Sequence, residues 1–198
     1  LDTSVGVRFG QPLDLLGNGV DDQGVSLDGS GRSFDRRLYV TDRTGKVIRD
    51  SQRDRIYTEM LASSLCRSYQ RDSVILPTHL AAFAGWSTLG RRYPNLDTYN
   101  LALLAPFERW VDRAELLAMI RQCLEIVDQR VAEKRVCALL PQGEDRAEQV
   151  LNRAVSAFER FHSRPGLSFE DWRVLVDPKL ALYYGNRLSG ILSEKDLA

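Results

Sequence analysis

Apolar residues recur at helical spacing over most of the chain, and alternate with polar ones only near its beginning and end. Ser51 and Asp54 form a capping box, after which Ile56, Met60, Leu61, Leu65 and Ser68 share one face. This predicts a helix over about Gln52–Gln70. Pro77 starts a second helix in which Leu80, Ala81, Phe83, Ala84, Trp86 and Leu89 spread round most of the circumference, with Gly90 and Pro94 expected to stop it. A helix apolar nearly all round is a buried one. A second capping box, Asp112 and Glu115, opens the longest amphipathic stripe: Leu116, Leu117, Ile120, Cys123, Leu124, Val127 and Val131. A further helix is expected from about Asp145 to His162, with Val150, Leu151, Ala154, Val155, Phe158 and Phe161 inward. "WRVLV" then reads as a short strand leading through Asp177 and Pro178 into a last helix, "KLALYYGNRL".

The segment before Ser51 is different. "VGVRFGQPLDL" is strand-like and closed by Pro12. Gly17–Gly31 is rich in Gly and Asp and reads as a turn-laden loop. Arg37–Ile48 alternates around "DRTG" and predicts a β-hairpin. The pattern reveals no internal repeat. A lone terminal strand needs a sheet to join, so the chain is expected to be the C-terminal part of a longer protein.

Composition narrows the function classes. The 198 residues carry 27 basic and 27 acidic side chains, so no global field draws the chain to nucleic acid or anionic membrane, and any such contact must be local. Cys66, Cys123 and Cys137 are widely spaced, with no histidine at metal-ligand spacing; reduced thiols and no metal are expected. No apolar run reaches the roughly 18 residues that would span a bilayer.

The candidate chemistry rests on few residues. His79 and His162 are the only histidines. The first heads an apolar helix and is read as a structural polar residue. The second ends a helix, where an imidazolium suits the carbonyl terminus. A general base needs an orienting partner, and no carboxylate shares a helical face with His79. The motifs of serine hydrolases, P-loops and dinucleotide sites are absent. Arginine is the remaining feature. Arg36 and Arg37, then Arg53 and Arg55 near a helix start, are candidate phosphate ligands because the guanidinium fork matches phosphate oxygens. Asp35, Asp42, Asp50 and Asp54 are interleaved with them, which favours a solvated mixed-charge surface instead.

Three stretches carry a family resemblance: "VRFGQPLDLLGNGVDDQGVSLDGSGRSFDRRLYV", "RDRIYTEMLASSLCRSYQRDSVILPTHLAAFAGW" and "LALYYGNRLSG". They resemble the C-terminal region of bacterial glycerol-3-phosphate acyltransferases. The likeness runs from Val5 to about Ile191 and is most specific in Ser26–Val40 and Arg53–Phe83; between Trp110 and Ser163 only helical character matches. It implies acyl transfer from acyl-CoA or acyl carrier protein to a glycerol phosphate in phospholipid biosynthesis. The family's base is the histidine of an H-x-x-x-x-D motif. Here Ala84 stands five residues after His79 and Leu167 five after His162, so the catalytic dyad is expected upstream of Leu1.

The expected fold is therefore mainly helical α+β: a strand and hairpin, then about five helices and a short strand. Residues 1–16 would close an upstream acyltransferase domain, and residues 17–198 would form a helical domain. The resemblance implies an isolated chain without activity or cofactor, partnered by that catalytic domain. It further implies a cytoplasmic location, with an anionic membrane surface as a peripheral contact and no nucleic acid. A non-catalytic helical domain that docks a partner protein or anionic lipid is the other reading. Gly185 stands where a larger residue is expected, which predicts a looser last helix.

Overall fold

A computed structural model of the chain describes residues 6–192. It is a mainly helical α+β protein that divides into two compact units, Val7–Ser73 and the residues from Val74 onward together with Gly6. The division falls after Ser73, well beyond the boundary at residues 16 and 17 expected from the sequence.

The Val7–Ser73 unit contains a repeat of seven residues that the hydrophobic pattern hides. Asp14, Asp21, Asp28, Asp35 and Asp42 each open one rung, and Gly17, Gly24, Gly31 and Gly45 sit three residues after four of them. In those four rungs the aspartate Oδ1 accepts the amides two and four residues on, at 2.8–3.0 Å. The amide of the glycine returns to the aspartate carbonyl, and the aspartate amide donates to the carbonyl four residues ahead. Each glycine lies at φ between +77° and +83°, the left-handed conformation that a type I turn closing a hairpin requires and that a Cβ penalises. The flanks pair as Leu13 with Gly19, Val20 with Ser26, Leu27 with Ser33 and Thr41 with Val47. Rungs are joined by amides that reach back eight residues: Leu27 to Gly19, Phe34 to Ser26 and Ile48 to Val40.

The fourth rung has Leu38 in place of glycine. Its turn, Arg36–Tyr39, is a short 3-10 helix capped by Asp35. The expected hairpin over Arg37–Ile48 is thus confined to the fifth rung. Residues 6–12 make no strand, and residues 1–5 of the expected closing strand lie outside the described residues.

The ladder lies along α1 (Ser51–Asp72), which is capped by Asp50 rather than Ser51: its carboxylate accepts the amides of Gln52 and Arg53. Gly17 approaches the helix so closely that a Cβ would stand 2.7 Å from Ser64 Oγ and 3.1 Å from Leu61 Cα. Tyr39 of the fourth rung meets Tyr57 edge-on at 6.0 Å. The half-buried face of α1 is therefore Arg53, Tyr57, Leu61, Ser64 and Ser68, while Ile56, Met60 and Leu65 of the expected inward stripe are exposed. The facing surface is turn backbone, so small and polar side chains meet it best.

The second unit is built round α2 (Pro77–Arg92). Leu80, Ala81, Ala82, Phe83, Ala84 and Leu89 are all buried, as its all-round apolar character predicts. Gly90 does not stop the helix, which runs on to Arg92; that side chain then donates to the Trp110 carbonyl and pairs with Glu115 at 3.2 Å. Around α2 lie α3 (Thr98–Ala102), α4 (Arg113–Ala132), α5 (Arg146–Phe161) and α6 (Pro178–Gly185). The expected capping box at Asp112 is not formed: the Asp112 carboxylate caps no amide, and Glu115 pairs with Arg92.

Short strands complete the unit. β1 (Val74–Ile75) pairs in parallel with β3 (Cys137–Ala138). β2 (Trp110–Asp112) lies antiparallel to β5 (Arg173–Val176), which forms a hairpin with β4 (Leu167–Glu170), giving the order β2-β5-β4. Gly85 lets α2 approach this sheet, since its absent Cβ would stand 3.3 Å from Val176 and 3.4 Å from Leu167. Gly185 does the same for α6. A Cβ there would meet Phe83 Cα at 2.9 Å and its amide nitrogen at 3.0 Å. The sequence expectation of a looser last helix is corrected: the missing side chain brings α6 closer to α2.

Candidate functional site

The two histidines, far apart in sequence, converge on Tyr184 of α6. His79 occupies the first turn of α2, where its Nδ1 accepts the Leu76 amide at 3.2 Å. Burial, reinforced by the Arg187 guanidinium, pushes its pKa down to about 4, so the ring is neutral at pH 7. An acceptor at Nδ1 places the proton of the neutral ring on Nε2. His162, directly after α5, has Nε2 2.8 Å from the Tyr184 hydroxyl. The Tyr184 ring is stacked beside His79 at 6.3 Å and takes the edge of Phe158 at 5.1 Å.

Tyr184 borders two hollows. One, of about 770 Å³, runs between the start of α2 and the outer side of α5, with His162, Phe161, Ser156 and Arg153 among its walls. Phe161 is exposed on this rim, not inward as its helical position suggests. The other, of about 860 Å³, follows one side of α6: Lys179, Leu182, Tyr183 and Asn186, with Arg187 beyond and His79 behind. No carboxylate lines either hollow.

This arrangement does not assemble a general base. A histidine becomes a base for an alcohol when a carboxylate orients it. Here the partners are a backbone amide and a tyrosine hydroxyl. Of the thiols, Cys123 is buried in the core with its pKa pushed up to about 12, hence inert. Among the described residues no three His, Cys, Asp or Glu side chains are grouped to hold a metal.

The arginines singled out in the sequence lie in the Val7–Ser73 unit and are largely neutralised. Arg37 grips Asp35 through Nε at 3.0 Å and a terminal nitrogen at 2.8 Å. Arg53 pairs with Asp54 at 2.8 Å and donates to the Ile48 carbonyl at 2.7 Å. Arg55 pairs with Glu59 at 3.0 Å. Arg36 lines a shallow hollow with Arg37 and Asp35 that neither Arg53 nor Arg55 reaches. Of the interleaved aspartates, Asp35 and Asp54 pair with arginine, while Asp42 and Asp50 accept backbone amides. Sequence reasoning passed over Lys179, Asn186 and Arg187. Their signal is present: between Asp177, spent on capping α6, and Glu194 the chain has two cations and no acid.

Compared with known proteins, the chain matches no family model, no curated protein and no solved structure.

Proposed function

We propose that this chain is the C-terminal, non-catalytic part of a glycerol-3-phosphate acyltransferase-like protein, supporting substrate binding or the stability of an upstream catalytic domain. The observation that carries the non-catalytic reading is the pairing of the two histidines: His79 with the Leu76 amide and His162 with Tyr184, neither with a carboxylate. Within the second unit, two of the segments that carry the family resemblance meet: Phe83 of α2 lies against Gly185, the last residue of α6. Leu1–Leu16 would then lead in from the catalytic domain, and contact with lipid would be peripheral, since no helix among the described residues is long and apolar enough to cross a membrane.

The other reading, a non-catalytic interaction domain, draws on the Val7–Ser73 unit, where Phe9 is 92% exposed and Leu15 79%. Such side chains are commonly covered by a partner. One experiment separates the two. Thiol release from long-chain acyl-CoA with glycerol 3-phosphate is measured for the isolated chain and for the product of its whole reading frame. The acyltransferase reading expects no turnover from the chain alone. It expects turnover from the whole product that is lost when an upstream H-x-x-x-x-D histidine is replaced. A frame without that motif overturns it, and turnover by the chain that His79→Ala abolishes overturns the non-catalytic assignment.

A further inference from the structure

The hollow along α6 has the chemistry of an oxyanion site. Lys179, Leu182, Tyr183 and Asn186 are spaced three, four and seven residues apart, so one side of the helix presents them together. Arg187 follows at the end of α6. Lys179 and Arg187 have no ion-pair partner among the described residues, whereas Arg37, Arg53 and Arg55 each have a carboxylate. His79 adds a third kind of donor. It is nine-tenths buried, its Nδ1 is occupied by the Leu76 amide, and Nε2–H has no protein acceptor among the described residues. Asn186 contributes an amide, and Leu182 and Tyr183 give an apolar wall.

Two cations unpaired among the described residues, a neutral imidazole donor and an amide, with no acceptor charge among the lining residues, match an anion with several oxygen atoms. We infer that the hollow bounded by His79, Lys179, Asn186 and Arg187 binds a phosphate monoester, as a free anion or as a lipid head group. Lys179 and Arg187 supply the charge, and His79 and Asn186 fix the orientation of the oxygen atoms. The inference does not rest on the acyltransferase reading, because every residue in it belongs to the described chain.

The 198-residue chain is titrated with inorganic phosphate while the His79 imidazole signals, assigned by their loss in His79→Gln, are followed by NMR. In parallel it is sedimented with phosphatidylcholine vesicles, with and without phosphatidic acid. The expected result is a saturable His79 shift with phosphate, or sedimentation that requires phosphatidic acid. The first outcome identifies a free anion and the second a head group. Lys179→Gln combined with Arg187→Gln should weaken whichever response is seen at least about tenfold, as loss of charge-assisted bonds does. Each single change should weaken it less, and Arg36→Gln with Arg37→Gln should leave it unchanged. Absence of both responses overturns the inference, as does a response that survives loss of Lys179 and Arg187.

Discussion

The ladder of Val7–Ser73 and the α2-centred unit that follows it satisfy the same backbone by different means. In the ladder, one carboxylate in each of four rungs accepts two amides, and Leu16 is the only apolar side chain of the unit that is buried. In the second unit, helices and strands satisfy their own amides, and order comes from a continuous apolar core in which Phe158, Leu80, Ile120 and Leu151 are fully enclosed. Local polar geometry can specify a conformation residue by residue, but it removes little apolar surface from water. Stability should therefore concentrate in the second unit, with the slowest hydrogen exchange in α2 and the fastest in the ladder and α1.

The sharpest way to break this contrast is to remove core volume. Phe158→Ala should cost about 3–5 kcal/mol, and Phe83→Ala a similar amount, read as a lower denaturant midpoint with core signals as the probe. The ladder has no apolar position of that weight. A wild-type midpoint for Phe158→Ala would mean that the core is not what orders the second unit.

A pH titration tests the buried imidazole. In the folded chain His79 titrates near 4, and in the unfolded chain near its ordinary value of 6.5. Between those values the unfolded state binds more protons, so stability falls as pH drops from about 6.5 to about 4 and levels off below. The loss attributable to His79 should approach roughly 3 kcal/mol. His79→Gln, which cannot titrate, should flatten that window; an unchanged profile would mean that the ring is solvated.

The smallest effect probes the rungs. Gly24 and Gly31 have nothing within 4 Å of an added Cβ, so alanine there meets only the left-handed backbone and should cost about 1–2 kcal/mol. Exchange of the amides at residues 23–32 should rise while α2 is unaffected. Protection equal to the wild type in both variants would show that the left-handed turn does not need glycine; the fourth rung, which has Leu38 at that place, closes with a 3-10 helix instead.

The contrast also explains what could be read from the sequence. α2, α4 and α5 were legible because burial imposes a 3.6-residue period on Leu116 to Val127 and on Val150 to Phe158. The five aspartates at seven-residue intervals were just as regular, but their period comes from hydrogen bonds, and a search for apolar repeats passes over it. β1 and β3 are two residues each, too short for alternation to register. The apolar stripe of α1 misled for the opposite reason: Ile56 and Met60 have helical spacing, yet the helix turns a more polar face to the ladder. Arginine charge was legible, and so were the aspartates that neutralise it. The meeting of His79, His162 and Tyr184 depends on how α2, α5 and α6 close on one another, which Gly185 permits and no local pattern announces.

The seven-residue rung also limits how this part of the gene can change in length. An insertion or deletion of one whole rung leaves every remaining aspartate opposite the amides it accepts and every remaining glycine at its turn. A change of any other size puts a side chain where the backbone must turn left and a carboxylate where no amide waits. Related genes should therefore differ here by multiples of seven codons, and a designer could shorten or extend the stretch before α1 in those same increments.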